Sequence, residues 1–207
     1  MSNILYPLLL LGVLSLGSCQ KAELDAPLED YDQLFPFKGA ERPRISYEDQ
    51  NLRLGDPDAP ISAFVYPGVK IAEDVRTYRV TLTCSFAETN FGGTLVGKDE
   101  VNSRYVVRYV GTDQQLHTIA TSVRDTTAET HLTNGREHRV TFEAKSGYPM
   151  YLLVNGVGPF GSSIKASISA VSEDGFTIVR PLEVQEHQNE EGIGKIKHPF
   201  CGYIILP

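Results

Sequence analysis

Arg76–Phe86 reads RTYRVTLTCSF, and its side chains alternate without a break. Tyr78, Val80, Leu82, Cys84 and Phe86 fall on one face, with Thr77, Arg79, Thr81, Thr83 and Ser85 on the other. A period of two with one apolar face is the signature of a half-buried antiparallel strand. The β-branched and aromatic content favours the same conformation, so local preference and burial pattern agree. Outward from this stretch, similar runs recur at Ile61–Tyr66, Arg104–Val110, Leu116–Val123, Glu137–Ala144, Met150–Val154, Ile164–Val171, Phe176–Val184 and Phe200–Leu206. Between them, Asn134-Gly135, Asn155-Gly156 and Glu173-Asp174-Gly175 supply residues tolerant of positive φ and read as turns. Many short strands with such punctuation predict an all-β protein, a single antiparallel β-sandwich of immunoglobulin-like or jelly-roll-like type. Beyond the first 19 residues no long stretch carries the helical period, and at most short helical turns are expected, for example in Leu28–Phe35. No fixed-length repeat is visible, which weighs against a propeller or solenoid.

The amino-terminal segment points to a compartment. Ile4–Leu16 (ILYPLLLLGVLSL) is an apolar run of 13 residues, too short for a permanent span of a hydrocarbon core roughly 30 Å thick. It fits the apolar region of a signal peptide, although no Lys or Arg precedes it. The run ends in Leu16-Gly17-Ser18-Cys19, which resembles the lipobox of bacterial lipoproteins. That resemblance implies cleavage after residue 18, lipidation of Cys19 and a membrane partner through the lipid anchor, stable because two or three acyl chains bury many methylenes. Gln20-Lys21-Ala22-Glu23 and the acidic residues after it read as a solvated tether over residues 19–42. The sandwich then occupies 43–207.

Three cysteines are present. With Cys19 lipidated, Cys84 and Cys201 remain, both on apolar positions of strands. Outside the cytosol they either form one disulfide or stay as two buried thiols; a bond needs Cα atoms roughly 4.4–6.8 Å apart.

A net charge of −7 with scattered basic residues argues against a nucleic-acid partner, which needs a basic stripe against phosphate. No His-Glu-x-x-His, Gly-x-Ser-x-Gly or phosphate loop occurs, and no cofactor or metal is expected. His131 and His138 flank Asn134-Gly135 and would face each other if that turn closed a hairpin. Asp56-Pro57-Asp58 reads as a turn between prolines rather than a calcium loop. Gln185–His198 is polar and reads as a long loop before the last strand, a frequent site of function. Glu183, Glu186, Glu190 and Glu191 lie in or beside it; paired carboxylates there would suit a glycosidase if about 5–9.5 Å apart. Tyr47, Tyr66, Tyr148, Tyr151 and Phe160 stand near strand ends or turns and would serve as flat platforms for a sugar.

The lipobox-like ending, acidic lead-in and all-β body together resemble the small surface lipoproteins of Bacteroidetes-type bacteria, an uncharacterised group often encoded beside glycan-uptake machinery. The resemblance implies an outer-membrane lipoprotein, at the cell surface or else facing the periplasm. The leading expectation is a non-catalytic binding module for polysaccharide or oligosaccharide, with Tyr148, Tyr151, Phe160, Glu186 and Glu190 as candidate ligand contacts. A second is an adhesion or pilus-type subunit that pairs a sheet edge with an envelope protein partner. A glycan-active hydrolase using Glu186 and Glu190 is third.

Overall fold

The structure, a computed structural model, describes residues 52–70, 75–90 and 92–207. The expected signal peptide, Cys19, the tether, the turn at Leu28–Phe35 and Tyr47 lie outside the described residues.

Among the described residues eleven strands form two sheets: β1 (Arg53–Leu54), β2 (Thr77–Ala87), β3 (Arg104–Val110), β4 (Leu116–Ala120), β5 (Thr130–His131), β6 (His138–Lys145), β7 (Pro149–Pro159), β8 (Ser163–Ser172), β9 (Ile178–His187), β10 (Ile193–Lys195) and β11 (Phe200–Ile205). The larger sheet runs β1-β11-β7-β3-β4-β5, with β10 also paired to β7; the smaller runs β6-β2-β8-β9. All these pairs are antiparallel except β4 with β5. The expected all-β sandwich is therefore present. β2 sits at its centre, with Tyr78, Val80 and Leu82 fully buried and Cys84 and Phe86 nearly so.

Parity along the strands fixes which side chains face the interior. Tyr109 stacks on Phe142 of the opposite sheet, ring centroids 6.2 Å apart, so Tyr109 points inward and its neighbour Arg108 outward. Arg108 pairs with Leu153, and Leu153 with Cys201, so all three share the outer face of the larger sheet. That face is not left to solvent. Residues 55–70 cross it as a strap, with Phe64 set edge-on against Tyr151 at 5.4 Å. Double coverage explains why every residue from Pro149 to Val154 is buried: one parity packs into the sandwich and the other beneath the strap.

The strap corrects one expected strand. Ile61–Ala63 is a single 3₁₀ turn following Pro60, and Phe64–Tyr66 continues extended without a ladder partner. Prolines 57, 60 and 67 remove backbone donors that a strand would need. The strap is held by Gly55 N–H to the Cys201 carbonyl at 3.0 Å, Lys70 N–H to the Gly147 carbonyl at 3.0 Å, and Asn155 Nδ2 to the Pro57 carbonyl at 2.7 Å.

Four further expectations change. Asn155-Gly156 lies inside β7 and turns nothing. The strand predicted to run to Val123 ends at Ala120. Gln185–His198 contains the end of β9 and the short β10. The chain at Asn134-Gly135 crosses between sheets, so His131 on β5 and His138 on β6 belong to different sheets and do not form a hairpin pair.

Cys84 and Cys201 are both free and buried. Cys84 faces the interior between the sheets, whereas Cys201 lies on the far side of the larger sheet, its thiol 3.1 Å from the Tyr151 hydroxyl. The thickness of that sheet separates them, which disfavours a bond. Burial pushes the Cys84 thiol up to about 12, with Glu137 adding to the rise, so little reactive thiolate exists at neutral pH.

At one end of the interior, His117 stacks on Tyr109 with centroids 5.1 Å apart. Its Nδ1 lies 2.6 Å from Glu129 Oε2 and its Nε2 3.0 Å from Asp113 Oδ1. Gly111 makes this packing possible, since a Cβ there would lie 2.5 Å from Nε2. Burial opposes the charged imidazole, but hydrogen bonds and charge from Glu129 and Asp113 outweigh it and hold the pKa above the ordinary 6.5. A raised folded-state pKa contributes stability that is complete below about pH 6.5 and is lost as pH rises through the folded value. We expect thermal stability to decline from pH 6 towards pH 8, modestly because Asp113 and Glu129 are more than half exposed and screened by solvent. His117→Gln should flatten that decline; an unchanged slope in the variant would assign it elsewhere.

Candidate functional site

Three recesses adjoin one another along the outer face of the larger sheet. Beneath the strap is a small apolar pocket of about 190 Å³ that includes Tyr151, Cys201 and Phe64. Beside it, Asn155, Lys195 and Val106 line a shallower recess that shares Arg108 and Pro60 with the pocket. Through Val157 this recess meets the largest of the three, a cleft of about 710 Å³.

Two loops form the walls of that cleft, and the start of β3 forms its floor. The first wall is the connection from β2 to β3. Its anchor is Glu88, only 1% exposed, whose carboxylate accepts the backbone N–H of Asn102 at 2.9 Å and of Ser103 at 2.8 Å, together with the Ser103 hydroxyl. Asn134 extends the clamp: its Oδ1 accepts the Glu88 N–H at 2.9 Å, and its Nδ2 donates to the carbonyls of Glu88 and Val96. The second wall is the connection from β4 to β5, shaped by Asp125, which accepts the N–H of Thr127 at 2.9 Å. Thr121 ties the walls together at their base. Its hydroxyl donates to the Ser103 carbonyl at 2.8 Å and accepts the Tyr105 N–H at 3.0 Å.

The lining is polar and balanced in charge. Lys98, Arg104 and Arg124 are matched by Asp99, Glu100 and Asp125, with Asn102 and Ser122 between them and Val157 and Ile193 at one side. Donors and acceptors thus converge on one concavity with no large field of either sign. Such a surface suits a neutral, hydroxyl-rich ligand that both gives and takes hydrogen bonds. Among the described residues, no group of three or more His, Cys, Asp or Glu is arranged to hold a metal ion.

The expected contacts separate into two sets. Tyr148 and Tyr151 are buried, and neither offers a platform. The Tyr148 hydroxyl donates to the Gly111 carbonyl, and Tyr151 lies under the strap; desolvation raises the pKa of both phenols. Tyr66 is likewise tucked in, its buried hydroxyl without a hydrogen-bond partner among the described residues. Phe160, by contrast, is 61% exposed in the turn after β7. Its N–H donates to the Gly192 carbonyl at 2.8 Å, which places it beside the turn carrying exposed Glu190 and beside Ile193 on the cleft rim. Glu186 is engaged with His198, Oε1 to Nδ1 at 3.1 Å, and no described contact joins it to Glu190.

Asn102, Arg104 and Arg124 escape a reading of the sequence. The available signal was loop length, since the connection from Glu88 to Ser103 is longer than the Gln185–His198 stretch. The fold and cleft define a class: an all-β sandwich with a polar cleft along the outer face of one sheet. Compared with known proteins, the chain matches no family model, no curated protein and no solved structure, so the chemistry of the cleft rests on its own residues.

Proposed function

We propose that this chain is a lipid-anchored module of the bacterial cell envelope that binds an oligosaccharide or polysaccharide without transforming it. The observation that carries the binding reading is the cleft itself: about 710 Å³ lined by three basic and three acidic side chains with Asn102 and Ser122 among them, with exposed Phe160 near its rim. The membrane attachment is supported by Leu16-Gly17-Ser18-Cys19 after an apolar run of signal-peptide length.

Affinity electrophoresis on a polysaccharide panel tests the binding. Retardation is expected, and Arg104→Ala should weaken it about tenfold, the loss of one hydrogen bond to a charged donor. Phe160→Ala should weaken it by a similar factor through lost stacking. Tyr148→Phe should leave it unchanged, because that hydroxyl bonds only the backbone inside the sandwich. Absence of retardation on every glycan, or full binding by Arg104→Ala, overturns this assignment. Mass spectrometry of the native product should find acylated Cys19 as its first residue; an intact Met1 would overturn the anchor.

A further inference from the structure

Each sheet edge raises the question of what keeps it from pairing with another chain. β1 and β5 are two residues long. β9 carries Pro181, and its register against β8 shifts between Ile168 and Ala170, leaving a bulge that spoils further pairing. β6 has none of these devices. It runs eight residues without proline or irregularity, and among the described residues only β2 pairs with it.

The direction of its free backbone groups follows from the ladder. Ser146 N–H donates to the Arg76 carbonyl at 2.9 Å, one step beyond the Thr77–Lys145 pair. Bonded and non-bonded pairs alternate in antiparallel ladders. Ala144, Phe142, Val140 and His138 therefore face β2 with their N–H and C=O groups, while Arg139, Thr141 and Glu143 turn theirs outward in the plane of the sheet. The side chains of those three residues are exposed.

Their order is self-complementary. Along the exposed face the chain reads Glu137, Arg139, Thr141, Glu143, Lys145, and reversal about Thr141 exchanges each charge for its opposite. We propose that β6 pairs antiparallel with β6 of a second copy of this chain about a two-fold axis through Thr141, joining the two smaller sheets into one. Arg139 then lies opposite Glu143 of the second copy, Glu137 opposite Lys145, and Val140 opposite Phe142. The outward-facing residues become the bonded pairs, as the ladder requires, and opposite charges sit where cross-strand neighbours reinforce each other. The contact is isologous and closes at two subunits. The charge symmetry favours a second copy over a foreign strand, which would have no reason to match it.

Sedimentation velocity on the full chain carrying Cys19→Ser, which removes acylation, should show a concentration-dependent dimer. Arg139→Glu should lose it by opposing like charges, and Arg139→Glu with Glu143→Arg should regain it. Placing cysteine on the axis gives an independent readout. Thr141→Cys should cross-link to itself under mild oxidation, because bonded partners lie about 5.5 Å apart at Cα. Arg139→Cys should not, because the two copies of that position are four residues apart along the ladder, about 13 Å. A monomer at all concentrations, or equal cross-linking at 139 and 141, overturns the proposal. Either result leaves the glycan reading untouched.

Discussion

Replacing Glu88 with Ala is expected to lower stability by about 3–5 kcal/mol and to abolish ligand binding together with it. The carboxylate is the acceptor for the backbone N–H groups of both Asn102 and Ser103, and Ser103 is completely buried. Without it, two donors lose their partners, each at about 1–3 kcal/mol. The Ser103 hydroxyl and Asn102 Nδ2 lose the same acceptor. Because Asn102 and Arg104 line the cleft on either side of Ser103, the damage reaches the cleft directly.

Glu88→Gln separates charge from shape. The amide keeps one oxygen but turns an NH₂ group towards an N–H donor, so about half the loss is expected. Urea unfolding measures both variants, with a shifted midpoint and an unchanged slope as the expected signature. A loss below about 1 kcal/mol for Glu88→Ala would mean that Asn134 and Thr121 hold the wall alone, and the clamp described for Glu88 would fail.

Glu88 also shows where the sequence can and cannot be read. The alternation that identifies β2 runs from Arg76 to Phe86, and Glu88 simply continues its inward parity as a polar residue at a strand end. Its role depends on a chain segment returning 15 residues later, which no local pattern records. Tyr148 and Tyr151 misled for a related reason. Their position near a strand start suggested exposure, yet Tyr151 is covered by a strap about 90 residues away in sequence. Burial of a strand on both faces is a non-local fact; MYLLV at 150–154 carried it as an uninterrupted apolar run. The strap itself imitated a strand, because Ile61–Tyr66 has β-type residues, while its bracketing prolines denied it a ladder. Phe160 was legible because a turn residue next to a proline stays at the surface without help from elsewhere. The cleft was hidden because its walls come from two connections whose meeting depends on the order of strands in the sheet.

Gly156→Ala is expected to cost about 3–5 kcal/mol, although it adds a single methyl group to a strand. Asn155-Gly156 signals positive φ, and Gly156 does have φ 137°, but it lies where β7 changes partners rather than where the chain reverses. On one side of β7, pairing with β11 ends at Val154 and pairing with β10 begins at Val157, while β3 stays paired on the other side across the change. The side chain of Asn155 ties this point down, accepting the Gly156 N–H at 2.7 Å and donating to Asp58 at 2.8 Å on the strap. A Cβ at Gly156 would lie 2.6 Å from Tyr105 Cα and would overlap the Arg104 carbonyl oxygen. Both obstacles are backbone of β3, which cannot rotate away as a side chain would, so the strands must separate where the cleft floor begins. Gly175 provides the comparison. It has φ 75°, but a Cβ added there would meet nothing within 4 Å, so Gly175→Asn should change stability by only about a few tenths of a kcal/mol, Asn being tolerant of the left-handed region. Thermal unfolding of the two variants side by side measures the difference between the crowded site and the open one. Equal small losses would show that β3 yields at Arg104 and that the close approach at Gly156 does not need a glycine.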